Sequence, residues 1–197
     1  MIICITGIDG CGKGTQINLL ANFLRKKNYD VFISKAYGEK EKKLLSSSIE
    51  SLHPISMMFL FQALHTQQRI NTEKALEKNK IIIADRWDES YLAYHSNYGI
   101  LKDNPQLREE LNRIAFNNII PDVTFLLRLS VSVARSRCQI RGADFFDRLS
   151  SEYHKTMQNA YLKIAKERHW IILNGAKPEL TIHKEIIRHL LCIRMRI

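Results

Sequence analysis

Ile2-Ile3-Cys4-Ile5-Thr6-Gly7-Ile8-Asp9-Gly10-Cys11-Gly12-Lys13-Gly14-Thr15-Gln16 opens the chain. The run Ile2 to Thr6 is apolar and reads as a buried strand. A glycine-rich loop follows, closed by Lys13. Ile17, Leu20, Ala21 and Leu24 then fall at i, i+3, i+4 and i+7, one face of a helix. Strand, GxxxxGK loop and helix in that order form a P-loop. Glycines let backbone N–H groups approach phosphate oxygens, and the helix N-terminus adds positive potential there. Lys13 adds a mobile point charge for the outer phosphates. The loop therefore predicts a phosphate cradle made of Gly7, Ile8, Asp9, Gly10, Cys11, Gly12, Lys13, Gly14 and Thr15. The residue after the lysine is usually Ser or Thr, a magnesium ligand. Here it is Gly14, and the hydroxyl comes one later on Thr15. Magnesium is then expected to rest on phosphates, water and carboxylates.

The chain has 197 residues, 45% of them hydrophobic. That length predicts one domain over 1–197 with ample core and a small lid. No stretch approaches the roughly 20 apolar residues that span a bilayer, and no basic leader with a small-residue cleavage site opens the sequence. Cys4, Cys11, Cys138 and Cys192 lack CxxC spacing, as expected of reduced thiols in a cytoplasmic protein. The net charge of +10 suits nucleic acid or small polyphosphates. Zinc ligands, an RNP-type aromatic strand and an arginine-rich tail are all missing from the sequence, which favours polyphosphates over nucleic acid. Arg188, Arg194 and Arg196 read as solvated surface.

Downstream, strands and helices alternate. Val31–Ile33, Ile81–Ala84, Val123–Leu129 and Trp170–Leu173 read as strands. Helices are expected at Gly14–Lys27, Glu39–Leu52, Ile55–Asn79, Glu89–Ser96, Asn104–Asn117, Val131–Cys138 (capped by Ser130), Glu152–Lys166 and Glu179–Cys192. The long helix after His53-Pro54 shows an apolar stripe of Met57, Leu60 and Leu64, and a second stripe of Phe61, His65, Arg69 and Thr72. Continuous apolar strands buried on both faces imply a parallel sheet. The fold class is α/β: a three-layer P-loop NTPase fold, with a five-stranded parallel sheet, helices on both faces and a short lid at about 135–148. Ligands in such sheets bind beyond the carboxyl ends of the strands, where the P-loop, Tyr37 and Asp85-Arg86 all fall.

Asp85 ends an apolar strand, as a magnesium-linked carboxylate would; a helix cap or an ion pair with Arg86 is the plainer reading. Arg86 beside it suits bidentate contact with phosphate. Asp9 within the loop would be repelled by phosphates unless magnesium or a sugar hydroxyl lies near it. Arg135, Arg137, Arg141 and Arg148 surround the lid, and Arg141 and Arg148 are the candidates for transition-state charge. Asp147-Arg148 also reads as a structural pair. Phe61, His65 and Arg69 share a helix face, either as a base platform or as ordinary core.

These motifs resemble those of the thymidylate kinase family, nearly end to end. Gly7-Ile8-Asp9-Gly10-Cys11-Gly12-Lys13 is similar to GxDGxGK, Leu60-Phe61-Gln62-Ala63-Leu64-His65 to LFxAxR, and Asp85-Arg86-Trp87-Asp88-Glu89-Ser90-Tyr91-Leu92-Ala93-Tyr94 to DRYxxSxxAY. Pro121 to Leu127 is similar to PDLTFLL, and Arg141-Gly142 with Asp147-Arg148 to the lid. The resemblance implies transfer of the ATP γ-phosphoryl group to a deoxynucleoside monophosphate, dTMP, with Mg2+, in a homodimer. It implies that Lys13 and the loop hold ATP, that Arg135 lies against the adenine, and that Arg141 and Arg148 clamp the transferred group. It places Arg86 on the acceptor phosphate, and Asp9 near the acceptor sugar and magnesium. Phe61 would stack on the acceptor base, and Tyr94 would crowd the 2′ position. Gly10 stands where one branch carries an arginine, so the catalytic arginine is expected from the lid.

Several positions depart from the family. His65 replaces the arginine that reads the thymine carbonyl, and Tyr91 stands where a small polar residue meets the base. Lys35-Ala36-Tyr37-Gly38 bears only a faint likeness to the family's loop after the second strand, Arg128 replaces an aspartate, and Ser150 a glutamate. The phosphate machinery is kept while base-reading positions change. Kinase action on a different base, a deoxynucleoside kinase using Glu39 as base, and a non-catalytic nucleotide-binding module remain as alternatives.

Overall fold

The computed structural model describes residues 1–38, 51–142 and 145–193. The helix expected over Glu39–Leu52, except for its last two residues, lies outside them, as do Glu39, Arg194 and Arg196. Strands β1 (Ile2–Thr6), β2 (Val31–Lys35), β3 (Ile81–Asp85), β4 (Val123–Arg128) and β5 (Ile171–Asn174) form one sheet in the order β2-β3-β1-β4-β5. Every pairing is parallel. The described helices are α1 (Lys13–Lys26), α2 (Pro54–Glu77), α3 (Asp88–His95), α4 (Pro105–Phe116), α5 (Val131–Arg141), α6 (Ser151–Glu167) and α7 (Glu179–Cys192).

The pleat of β1 explains the layers. Successive strand side chains point to opposite faces. Ile3 and Ile5 pack with Ile17, Leu20 and Leu24 of α1, Tyr161 of α6 and Ile186 of α7. Ile2 and Cys4 pack with Met58 of α2, Trp87, and Phe116 of α4. Both faces are covered, as the unbroken apolar strands require. The register pairs Ile5 with Asp85 and Lys35 with Asp85, so the ends of β1, β3 and β2 lie level, directly beside the P-loop.

Several ends follow local capping rules. The His53 side chain accepts from the Ile55 N–H at 3.3 Å, with Pro54 at the first helical position. Asn104 Oδ1 accepts from the Leu107 N–H at 3.1 Å, and Ser150 Oγ from the Tyr153 N–H at 3.1 Å. Ser130 occupies the N-cap of α5 as expected, but its side chain makes no capping bond. That helix runs on to Arg141, and β2 extends to Lys35, two residues past the expected end.

The buried face of α2 corrects the sequence reading. Met57, Leu60 and Leu64 are half-buried, while Met58, Gln62, His65, Gln68, Thr72 and Ala75 are buried. The polar members of that face find partners inside the protein. Thr72 Oγ1 meets Ser34 Oγ at 2.7 Å, and Gln68 donates to the Arg86 carbonyl at 3.0 Å. An apolar periodicity cannot register a face held by hydrogen bonds.

Leu20 is fully buried between α1 and the sheet. Leu20→Ala is expected to lower stability by roughly 2–5 kcal/mol, read as a fall in the urea midpoint with an unchanged slope.

Candidate active site

A cavity of about 1000 Å³ opens at the level ends of β1, β2 and β3. The P-loop forms its floor. Lys13 Nζ is buried there and donates to the Gly7 and Ile8 carbonyls at 3.1 Å each. It also lies 3.4 Å from Asp9 Oδ1. Arg86 Nη2 reaches that same oxygen at 2.9 Å and the Gly7 carbonyl at 3.0 Å. One carboxylate thus lies between the two cations expected to meet phosphate. Burial by itself would push the Arg86 guanidinium down, but the Asp9 charge outweighs it and holds the group well above its ordinary pKa.

Arg86 adopts φ = 67°, a left-handed conformation that costs a non-glycine residue of order 1–3 kcal/mol. Its backbone is tied at both ends to hold it. The N–H donates to the Ile5 carbonyl at 3.2 Å, and the carbonyl accepts from Gln68 at 3.0 Å. The bend aims the guanidinium over the P-loop rather than along β3. Asp85, one residue earlier, forms its ion pair with Lys35 at 3.5 Å and not with Arg86. Its oxygens still line the cavity.

Gly10 explains how α5 meets the loop. It has φ = 79°, and a Cβ there would lie 2.1 Å from the Ala134 carbonyl. No side chain fits, so α5 docks directly on the loop. Arg137 Nη1 then stands 3.5 Å from the Gly10 carbonyl and lines the cavity. Nothing crowds Gly14; a Cβ there would meet no atom within 4 Å. The absent hydroxyl is therefore not a steric requirement.

The far end is aromatic. Phe61 lies 6.4 Å from Tyr37 and 6.0 Å from Phe146, ring centre to ring centre. Tyr94 lies 6.5 Å from Phe146. Deeper in, the His65 and Tyr91 rings are 6.3 Å apart, and Tyr91 and His95 4.5 Å. Burial pushes His65 down to about 4; a contact from Gln68 works against this, and the Arg86 charge works with it.

Lys13, Asp9, Gly10, Cys11, Gly12, Gly14, Thr15, Tyr37, Phe61, His65, Asp85, Arg86, Tyr91 and Tyr94 all border this one cavity, as the motifs predict. Gly7 and Ile8 join through their carbonyls. Other candidates stand elsewhere. Arg69 turns to the Ala115 carbonyl at 3.2 Å and Glu73 at 2.7 Å, holding α2 to α4. Arg135 does not line the cavity, its place on α5 being taken by Arg137. Arg148 is exposed and away from it. The Arg141 side chain lies outside the described part of the structure.

Sequence reasoning missed several lining groups. Phe146, Tyr153, Tyr161 and the loop Gly175–Glu179 come from distant positions without a motif. Gln16 ties that loop to α1 through the Glu179 carbonyl at 2.9 Å. Glu89 was also missed as a support. It accepts from Thr6 Oγ1 at 2.7 Å and from the Trp87 N–H at 2.9 and 3.0 Å, bracing the turn after Arg86 from beneath. Burial pushes its carboxyl above the usual range. Its neighbour Asp88 pairs with Arg168 at 2.8 Å.

A P-loop at the centre of a five-stranded parallel sheet, with cations converging on its mouth and an aromatic slot beyond, defines a P-loop NTPase fold of the nucleotide-kinase kind. The thymidylate kinase family model matches residues 5–186. A thymidylate kinase of Fervidobacterium nodosum is 33% identical over 195 residues, covering 95% of this chain and 97% of that protein. One from Thermoanaerobacter sp. is 32% identical over 198 residues, covering 94% of each. The chain belongs to the thymidylate kinase family.

The depressed His65 has a consequence for stability. Unfolded histidine titrates near 6.5, so below that pH the unfolded chain binds more protons than the folded one. Stability is full above about 6.5 and is lost as the pH falls toward 4. His65→Phe should shrink the drop in urea midpoint between pH 7 and pH 5. An undiminished drop would show that His65 is not buried and neutral.

Proposed function

We propose that this chain transfers the γ-phosphoryl group of ATP to dTMP, releasing ADP and dTDP, as a single kinase domain over 1–197 with a lid at about 135–148. The observation that carries this reading is the meeting of Lys13, Asp9 and Arg86 at the P-loop mouth, within one cavity that also holds the Phe61–Tyr94 slot. The acceptor is already an anionic phosphate, so no general base is required. Positioning and charge neutralisation do the work. Lys13 exchanges its carbonyl partners for ATP phosphate oxygens. Arg86 turns from the Gly7 carbonyl to the acceptor phosphate, and Asp9 keeps both cations aligned between the two ligands. Phe61 stacks on the base, and Tyr94 fills the space of a 2′-hydroxyl. Arg137, which lines the cavity, supplies charge to the transferred group; Arg141 and Arg148 would join it only if the lid carried them to the cavity. The loop Gly175–Glu179, beside Gln16, houses the adenine end.

The donors at the loop suit magnesium. Among the described residues no group of three or more His, Cys, Asp or Glu side chains is placed to hold a metal ion. Asp85 borders the cavity with hard oxygens, the Thr15 hydroxyl lines it too, and Mg2+ takes one or two carboxylates plus phosphates and water. Asp85, with Asp9 nearby, would hold the ion against the phosphates, where it neutralises charge as the phosphoryl group moves. No helix of the described residues is long and apolar enough to cross a membrane. We place the enzyme in the cytoplasm as a homodimer, a reading supported by the exposed Ile55 and Phe59 of α2 and Ile114 of α4. The surplus positive charge serves nucleotide phosphates rather than nucleic acid.

A coupled ADP-release assay over nucleoside monophosphates and nucleosides tests the reading. Monophosphates should be the acceptors; turnover on nucleosides alone would overturn it in favour of a deoxynucleoside kinase. Lys13→Ala and Arg86→Ala should each cut turnover at least about a hundredfold, and near-normal rates would remove them from the chemistry.

A further inference from the structure

The inner wall of the acceptor end contains polar atoms that the protein does not satisfy. His65 Nδ1, Tyr91 Oη and His95 Nδ1 are all buried, and none makes a hydrogen bond with a described residue. All three residues line the cavity, and their side chains are at least nine-tenths buried. A buried polar group left unmatched costs roughly 1–3 kcal/mol, so three together point to a ligand or rearranged partner that completes them. The rings form one contiguous surface: His65 against Tyr91 and Tyr91 against His95, with Phe116 behind His65 at 5.3 Å.

The chemistry of these groups is permissive. Burial pushes both imidazoles down to about 4, so each is neutral near pH 7. A neutral imidazole carries a donor on one nitrogen and an acceptor on the other. Which nitrogen holds the proton is set by the partner of its mate, and here Nδ1 of each ring has none. A phenol hydroxyl likewise donates or accepts. Gln68, whose Oε1 is also unmatched, does not line the cavity. Arg69 is paired with Glu73 and Arg86 with Asp9; Arg108, whose charge acts on Tyr91 and His95 and whose Nε is buried and unmatched, does not line the cavity.

A 4-oxo pyrimidine offers an acceptor at position 4 and a donor at N3. A 4-amino pyrimidine offers the reverse. A guanidinium favours the first and rejects the second; His65 and His95 fit either by the choice of imidazole tautomer, and Tyr91 by rotating its O–H. We propose that this wall accepts 4-amino pyrimidine deoxynucleoside monophosphates, dCMP being the simplest, alongside the 4-oxo kind. The proposal rests on the acceptor site assigned above and extends its substrate class.

The test is a set of initial rates with wild-type enzyme at fixed ATP and magnesium, using dTMP, dUMP and dCMP. A kcat/KM for dCMP within about a hundredfold of that for dTMP is expected, because a site with a fixed, unmatched donor discriminates by roughly ten-thousandfold or more. A larger gap overturns the proposal while leaving the kinase reading intact. Failure of every monophosphate overturns the kinase reading instead. His65→Arg installs the permanent donor and should lower the dCMP-to-dTMP ratio at least tenfold. His65→Lys serves the same purpose if the arginine variant does not fold. A ratio that stays put in a folded variant overturns the proposal, since His65 would then not face the base.

Discussion

The Asp9 carboxylate lies within ion-pair reach of the Lys13 ammonium at 3.4 Å and the Arg86 guanidinium at 2.9 Å, on a single oxygen. Most of the site can be traced to that arrangement. Two cations brought this close repel one another, and in a half-buried cavity the repulsion is poorly screened. Asp9 offsets it, and the Gly7 carbonyl, accepting from both side chains, fixes their spacing. The cost appears in the backbone of Arg86, held in a left-handed turn by Ile5, Gln68 and, one residue on, Glu89 beneath the Trp87 N–H. The polar face of α2 and the buried Glu89 of α3 thereby become supports of the P-loop mouth.

Much of this was legible in the sequence because it is local. The apolar runs gave the strands, and the GxxxxGK spacing placed Lys13 at the start of a helix in the correct register. Asp85 and Arg86 were recognisable because they end an apolar strand. What escaped is non-local or polar. Thr72 looked like the tail of a stripe, yet it is buried because Ser34 waits for it on β2. Arg69 shares its helix face with Phe61 and His65 but swings to Glu73, four residues on, since an ion pair one turn away outcompetes an open cavity. Arg135 and Arg137 differ by two positions on α5, about 200° of helix, and only the docking of that helix on Gly10 decides which of them faces inward. Phe146 and Tyr153 lie more than a hundred residues from the P-loop and carry no motif.

The two ends of the cavity also differ in kind. The P-loop end is built from fixed charges and backbone carbonyls, joined by hydrogen bonds of 2.9–3.1 Å. The far end is built from neutral rings with unmatched atoms. Rigid charge suits a group that all nucleotides share. Adaptable hydrogen bonding suits the part in which they differ.

The close approach of Gly10 to the Ala134 carbonyl bears on how such enzymes diverge. A P-loop arginine at this position is not one substitution away, because any Cβ would drive α5 off the loop and carry Arg137 with it. Placing any side chain there would require the loop and the helix to change together. The backbone at Gly10 is thus a steric lock that couples any change in the loop to a change in α5.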